Sequence, residues 1–192
     1  MPALTFPPEV LLRAQGRGLG MKAAIFDVDG VLTDGTLWIG AEGETTKAFH
    51  ALDGHGLKLL REGGIEPLVV SGRDSAPLRR RLADLGITRL ACGAGDKVAA
   101  AEALLAALGF EWPDVAAIGD DWPDLALLAR AGFAAAPPNA HAEVRAAAQY
   151  VTRARGGEGA AREFCDLLLM AAGRYATLLE RHAGRGATLD AR

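Results

Sequence analysis

Short runs that are apolar throughout alternate along this chain with longer stretches in which Ala, Leu and Arg recur at helical spacing. A wholly apolar run of strand length suits a strand covered on both faces, and the 3.6-residue period suits the helices that cover it. The pattern predicts strands over 23–27, 66–71, 89–92, 115–119, 133–135 and 150–152 and helices over 55–62, 76–85, 97–108, 124–131 and 142–149. That alternation is an α/β fold, a parallel sheet flanked by helices. One segment breaks it: "TLWIGAEGETTKAF", 36–49, holds two short β-like runs about a glycine-bearing turn and predicts a protruding hairpin, a flap too short to be a cap domain. Beyond the glycines at 156–159, Phe164, Leu167, Leu168, Ala171, Tyr175 and Leu178 fall in a helical stripe and predict one C-terminal helix packed on the core. Residues 1–20 form an N-terminal extension, 21–182 a single domain, and 183–192 a frayed tail.

Composition narrows the class. The 192 residues are 50% hydrophobic and 23% charged, enough for one substantial core. A formal net charge of −3 without a basic run argues against a nucleic-acid surface. Cys92 and Cys165 are far apart in apolar surroundings and read as reduced thiols of a cytoplasmic protein. The N-terminal stretch lacks a signal-peptide pattern, and no run reaches the roughly 18 apolar residues of a membrane span.

The first strand runs into "DVDGVLTDG". Residues two apart on a strand share a face, so Asp27 and Asp29 project together while Val28 points away. Two neighbouring carboxylates need a compensating cation or a shared proton, which implies a hard divalent metal, an acid/base role, or both. A plain turn is the bland reading, and it suits Asp34, which precedes Gly35. The fourth strand repeats the arrangement with "GDDWPD". There Asp121 and Asp124 bracket Trp122-Pro123 in capping-box spacing, a reading that suits Asp124 and competes with a ligand role at Asp121. Asp120, at the strand end, is the better metal ligand. Ser71 and Gly72 end the second strand, where a hydroxyl and backbone N–H groups hold phosphate oxygens, and Arg73 adds a charge for an anion. Asp96 caps a helix whose first turn carries Lys97, a lysine opposed to the helix dipole unless it has a partner.

The ordered set Asp27–Gly30, Ser71–Gly72, Lys97 and Asp120–Asp124 resembles the four motifs of the haloacid dehalogenase superfamily of phosphotransferring hydrolases. Together with "DGHGLKLLREGG", "SGRDS" and "YVTRARGGEGAAREFCDLLL", it is similar to the 3-deoxy-D-manno-octulosonate 8-phosphate phosphatases over roughly 22–169. The resemblance implies an uncapped Rossmann-like domain that hydrolyses a sugar phosphate for lipopolysaccharide precursor synthesis. It implies Asp27 as nucleophile, Asp29 as acid and base, and Ser71 and Lys97 as phosphate stabilisers. Mg²⁺ would be held by the Asp27 side chain, the Asp29 backbone carbonyl and Asp120.

The resemblance also implies substrate contacts from Asp29, Thr33, Gly72, Arg73 and Lys97. Sugar contacts would come from His50, Ala51, Leu52, Asp53 and Gly54, with Lys58 and Arg81 as further cations. The chain departs from the family at Leu52, where many members carry arginine, and at Lys58, where arginine is common. His50 also reads as a half-buried polar residue at the flap's edge, and His55, His141 and His182 show no ligand spacing. The family further implies a homotetramer in which hairpins and C-terminal segments complete neighbouring sites, with Arg155, Arg162 and the glycines at 156–159 as one closing part or, equally, a turn before a helix.

Two other classes share these parts. A receiver-type phosphoacceptor domain also uses a strand-end Asp, acidic metal ligands, a hydroxyl and a Lys, but Asp29 would hasten the loss of its acyl phosphate. A phosphatase for another acidic sugar phosphate or small phosphate ester would use the same site.

Overall fold

The computed structural model describes residues 4–17 and 20–184. In chain order the elements are α1 (Pro8–Ala14), β1 (Ala23–Phe26), β2 (Trp38–Gly40), β3 (Gly43–Thr46), α2 (Ala51–Glu62), β4 (Glu66–Ser71), α3 (Ala76–Leu85) and β5 (Leu90–Cys92). There follow α4 (Lys97–Ala106), β6 (Val115–Ile118), α5 (Leu125–Arg130), β7 (Phe133–Ala136), α6 (Ala142–Ala147), β8 (Tyr150–Val151), α7 (Ala160–Ala171) and α8 (Tyr175–His182).

Six strands form one sheet in the order β5-β4-β1-β6-β7-β8, every pair parallel. After β1 the chain builds outward through β4 and β5, then returns to lay β6 on the other side of β1. The order therefore reverses between β1 and β6, and the crevice beyond the carboxyl ends of those two strands is where such a sheet binds ligands. The run Ala23-Ala24-Ile25-Phe26 is buried on both faces: Ala24 and Phe26 join one core with α1, α2, α3, α7 and α8, while Ala23 and Ile25 join the other with α4, α5 and α6. Phe164 of α7 packs on Phe26 and Phe133, with ring centroids at 5.6 and 6.4 Å.

The expected hairpin is present as the antiparallel pair β2·β3, its turn closed by Gly43 at φ +92°. Three differences from the pattern-based reading have local causes. First, α2 begins at Ala51 rather than at 55, so the 51–54 segment is helical. Gly54 lowers helix propensity there, and the space a Cβ would take on it is filled by the Arg81 and Leu85 side chains. Second, the single C-terminal helix is two. Gly173 at φ +70° ends α7 in a Schellman turn, with Arg174 N donating to Leu169 O at 2.8 Å and Gly173 N to Met170 O at 2.9 Å. Third, the N-terminal extension is part of the core: Phe6, Val10 and Ala14 are buried, and α1 lies on α7. The tail expected to fray falls, from 185 on, outside the described residues. Among the described residues no helix is long and apolar enough to cross a membrane.

Candidate active site

A cleft of about 700 Å³ opens at the topological switch point. Asp27, Asp29, Ser71, Gly72, Arg73, Lys97 and Asp120 all line it, so residues spread over nearly a hundred positions converge as the motifs require. Asp27 follows β1 directly and is 7% exposed; its N–H donates to Ile118 O at 3.1 Å, which ties the loop after β1 to β6. Beyond it the chain curls, with Val31, Leu32 and Thr33 N–H groups all donating to Val28 O at 2.9–3.2 Å. Gly30 adopts φ +85°, and a Cβ there would collide with the Asp120 carboxylate, so glycine lets the β6 end approach this loop.

Lys97 stands at the centre. Its ammonium is 2.8 Å from Asp27 Oδ1 and 2.7 Å from Asp124 Oδ1, and its side chain is 9% exposed. Burial would push its pKa down, but the two carboxylates outweigh burial and raise it, so it stays a cation. The N-cap of α4 holds it there: Asp96 Oδ1 accepts from Val98 N at 2.9 Å and Ala99 N at 3.0 Å.

Carboxylate oxygens of Asp27, Asp120 and Asp124 lie within 4.8 Å of one another. Burial, then the charge of Asp124, pushes Asp27 up to about 6 despite Lys97. Burial, then Asp27 and Asp124, pushes Asp120 up to about 8. Both shifts state how poorly one lysine balances three acids. An all-oxygen donor set of this kind fits a hard divalent cation that retains waters.

Asp124 does more than the capping-box reading gives it. Its Oδ2 accepts from Asp120 N at 3.1 Å and Asp121 N at 3.3 Å, which closes the cap, while its Oδ1 takes Lys97. Asp34 is a turn residue, its Oδ1 accepting from Thr36 N at 2.8 Å. The hairpin supplies a residue that no local pattern marked: Lys47 Nζ pairs with Asp29 Oδ1.

The residues implied for the sugar lie elsewhere in the same chain. Thr33 is buried beneath the loop, its hydroxyl donating to Val28 O at 3.4 Å and accepting from Gly35 N at 3.2 Å. His50 precedes α2, and Ala51, Leu52, Asp53 and Gly54 form its first turn, outside the cleft. Asp53 is 2% exposed and caps α7, accepting from Gly159 N at 3.2 Å and Arg162 N at 2.7 Å. Leu52 points outward at 54% exposure. Arg81 donates to His50 O at 3.5 Å and lies over the Phe49 ring. Lys58 lies in a separate groove beside Arg61, Glu62 and Asp84.

The glycine segment at 156–159 backs the loop after β1. Gly157 N donates to Val31 O at 3.0 Å, and Asn139 bridges the two pieces, accepting from Gly156 N at 2.7 Å and donating to Gly30 O at 3.2 Å. Arg162 pairs with Asp166 at 2.9 Å along α7, and Arg155 is exposed.

Residues 92–164 match the model of a family described as haloacid dehalogenase-like hydrolase. A 3-deoxy-D-manno-octulosonate 8-phosphate phosphatase of Yersinia pestis is 42% identical over 155 residues, 81% of this chain and 83% of the relative. The chain belongs to this phosphatase family. The 3-deoxy-D-manno-octulosonate 8-phosphate phosphatase structure from Moraxella catarrhalis, solved with magnesium ion, phosphate ion and KDO, superposes with a TM-score of 0.84 at 38% identity, covering 91% of this chain and 98% of that one. A probable phosphatase of the yrbi family from Pseudomonas syringae gives 0.86 at 42% identity, covering 92% and 98%. The chain shares its fold with both phosphatases.

Proposed function

We infer that this enzyme hydrolyses 3-deoxy-D-manno-octulosonate 8-phosphate to the free sugar acid and inorganic phosphate, with Mg²⁺, in the making of lipopolysaccharide precursors. The observation that carries the reading is the pairing of two differently held carboxylates on one loop, Asp27 on Lys97 and Asp29 on the flap, at the mouth of a cleft lined by Ser71 and Arg73.

Asp27 attacks phosphorus in line. Its oxygen–phosphorus bond forms as the bond from phosphorus to the sugar oxygen breaks, and Asp29 gives its proton to that oxygen. Asp29 then takes a proton from water, whose oxygen attacks the aspartyl-phosphate and releases phosphate and Asp27. Lys97, Ser71 and backbone N–H groups near Asp29–Gly30 stabilise the charge on the equatorial oxygens. Asp27 and Asp120, with the Asp29 carbonyl, would hold Mg²⁺, and Asp124, the third carboxylate of the cluster, has its oxygens on Lys97 and the cap. When bound, Mg²⁺ neutralises the repulsion between an anionic nucleophile and an anionic phosphate. A persistent phosphoacceptor switch is not favoured, since the relatives are phosphatases.

The reading extends to a homotetramer and a cytoplasmic location. An uncapped cleft needs water excluded by something else, and the hairpin presents Leu37, Trp38 and Ile39 at 40–61% exposure. In such an assembly hairpins and C-terminal segments would complete neighbouring clefts, while Asp53 stays buried as the cap of α7. Both cysteines are free, as in a reducing compartment. A phosphate-release screen over sugar phosphates tests the substrate: the octulosonate ester should give the highest kcat/KM, and Asp27→Asn should abolish release. Substantial turnover by Asp27→Asn removes it as nucleophile; a better ester of another class overturns the substrate.

A further inference from the structure

Lys47 follows the last residue of β3 and turns inward until 1% of its side chain is exposed. Its ammonium sits between two carboxylates, Asp29 Oδ1 and Glu44 Oε1, the latter at 2.9 Å. Glu44 is itself 6% exposed. Removing a lysine and a glutamate from water is costly, and replacing a buried ion pair by apolar groups is often neutral or stabilising. The hairpin's own packing gives no reason for a buried cation, whereas the Asp29 carboxylate does.

Asp29 is held at one oxygen and faces a second cation with the other. Oδ1 accepts from Lys47 of the flap, and Oδ2 faces Arg73 Nε at 3.8 Å at the end of β4. A carboxyl torsion is broad and roughly two-fold, so an Asp at the mouth of an open cleft is poorly oriented by its own rotamer. A buried ammonium on one oxygen removes that freedom. It also leaves Oδ2, on the cleft side with Arg73, as the oxygen free to exchange a proton with the leaving group.

We propose that Lys47, backed by Glu44, is a positioning residue that aims the Asp29 carboxyl at the leaving-group oxygen, so that the flap is part of the catalytic machinery and not only a wall. The proposal rests on the reading of Asp29 as acid and base. It assigns the Glu44–Lys47 pair a purpose that neither the core nor the phosphate contacts supply.

The test compares wild type, Lys47→Met, Lys47→Arg, Glu44→Gln and Asp29→Asn, each as full-length enzyme in Mg²⁺ with circular dichroism and thermal unfolding recorded. Two substrates separate the steps: the octulosonate 8-phosphate, whose sugar oxygen needs a proton, and p-nitrophenyl phosphate, whose leaving group does not. For Lys47→Met we expect kcat on the sugar ester to fall about 100-fold, as for a displacement near 1 Å, with KM within roughly twofold. On p-nitrophenyl phosphate the same variant should release a burst of one nitrophenol per subunit and then turn over slowly, because water attack lacks an aimed base. Lys47→Arg should recover most of the loss, and Glu44→Gln should fall between.

A folded Lys47→Met with wild-type kcat on the sugar ester overturns the proposal. So does an equal loss on both substrates without a burst, the signature of a collapsed flap. If Asp29→Asn alone is impaired, the role of Lys47 fails and that of Asp29 stands; if Asp29→Asn retains both steps, the acid/base reading fails and the proposal with it.

Discussion

Replacing Gly156 by Ala isolates the contact between the glycine segment and the nucleophile loop. The Gly156 backbone lies in a region open to any residue, so the cost is steric rather than conformational. A Cβ there would sit 2.5 Å from the Gly30 carbonyl carbon, and nearer still to its oxygen. Unstrained contacts between carbon atoms begin near 3.5 Å, so one backbone must retreat by about 1 Å. Neither side yields cheaply: Gly157 N is bonded to Val31 O and Asn139 clamps Gly156 to Gly30. Overpacking of this kind costs on the order of 3 kcal/mol in stability. A shift of about 1 Å in the loop carrying Asp27 and Asp29 should lower kcat about 100-fold. Gly40→Ala is the control, because its added Cβ finds only Gly43 O, at 3.8 Å. Urea unfolding and steady-state phosphate release measure both effects. A Gly156→Ala protein within about 0.5 kcal/mol of wild type, the range of an ordinary surface change, and with unchanged kcat would refute the buttress.

Three further outcomes follow from the geometry. Asp27 and Asp120 have pKa values raised to about 6 and about 8, so at pH 7 the folded protein retains protons that Mg²⁺ must expel. Mg²⁺ affinity should therefore rise with pH between about 6 and 8, and calorimetry at pH 7 in buffers of different ionisation enthalpy should count close to one proton released per ion; a buffer-independent enthalpy contradicts this. Asp53→Ala leaves Gly159 N and Arg162 N without their acceptor, and chemical unfolding should show a loss of about 1–3 kcal/mol; an unchanged midpoint denies the cap. Changing Trp38 and Ile39 together to Lys should convert a tetramer into smaller species by light scattering, with activity falling in parallel; an active monomer of the wild-type chain would sink the assembly.

Much of this was legible because local chemistry and tertiary need coincide. Ala23–Phe26 is apolar throughout because helices cover both faces of β1, and Asp96 caps α4 just where its side-chain chemistry favours a helix start. Four motifs reached the cleft because each sits at the carboxyl end of a strand or the first turn of the helix after it. The start of α2 was hidden because Gly54 argues against a helix locally, and the Arg81 and Leu85 side chains that fill the space beside it are distant in sequence. At Gly173 the terminator was written in the sequence, but a continuing apolar stripe across α7 and α8 masked it. Asp124 was half seen: a capping signature accounts for one of its oxygens and is silent about the other. Lys47 left no signal at all, since its partner lies 18 residues away across a turn that sets the hairpin's tilt.

The Asn139 bridge bears on when, during its synthesis, this enzyme can first work. Its amide joins the loop after β1 to the loop after β8, across a separation of 109 residues from Gly30. Both catalytic carboxylates leave the ribosome early, yet the clamp that sets their loop is complete only once Gly156 has emerged. A chain truncated before that glycine lacks the contact that fixes the loop carrying Asp27 and Asp29, and should be inactive in a phosphate-release assay.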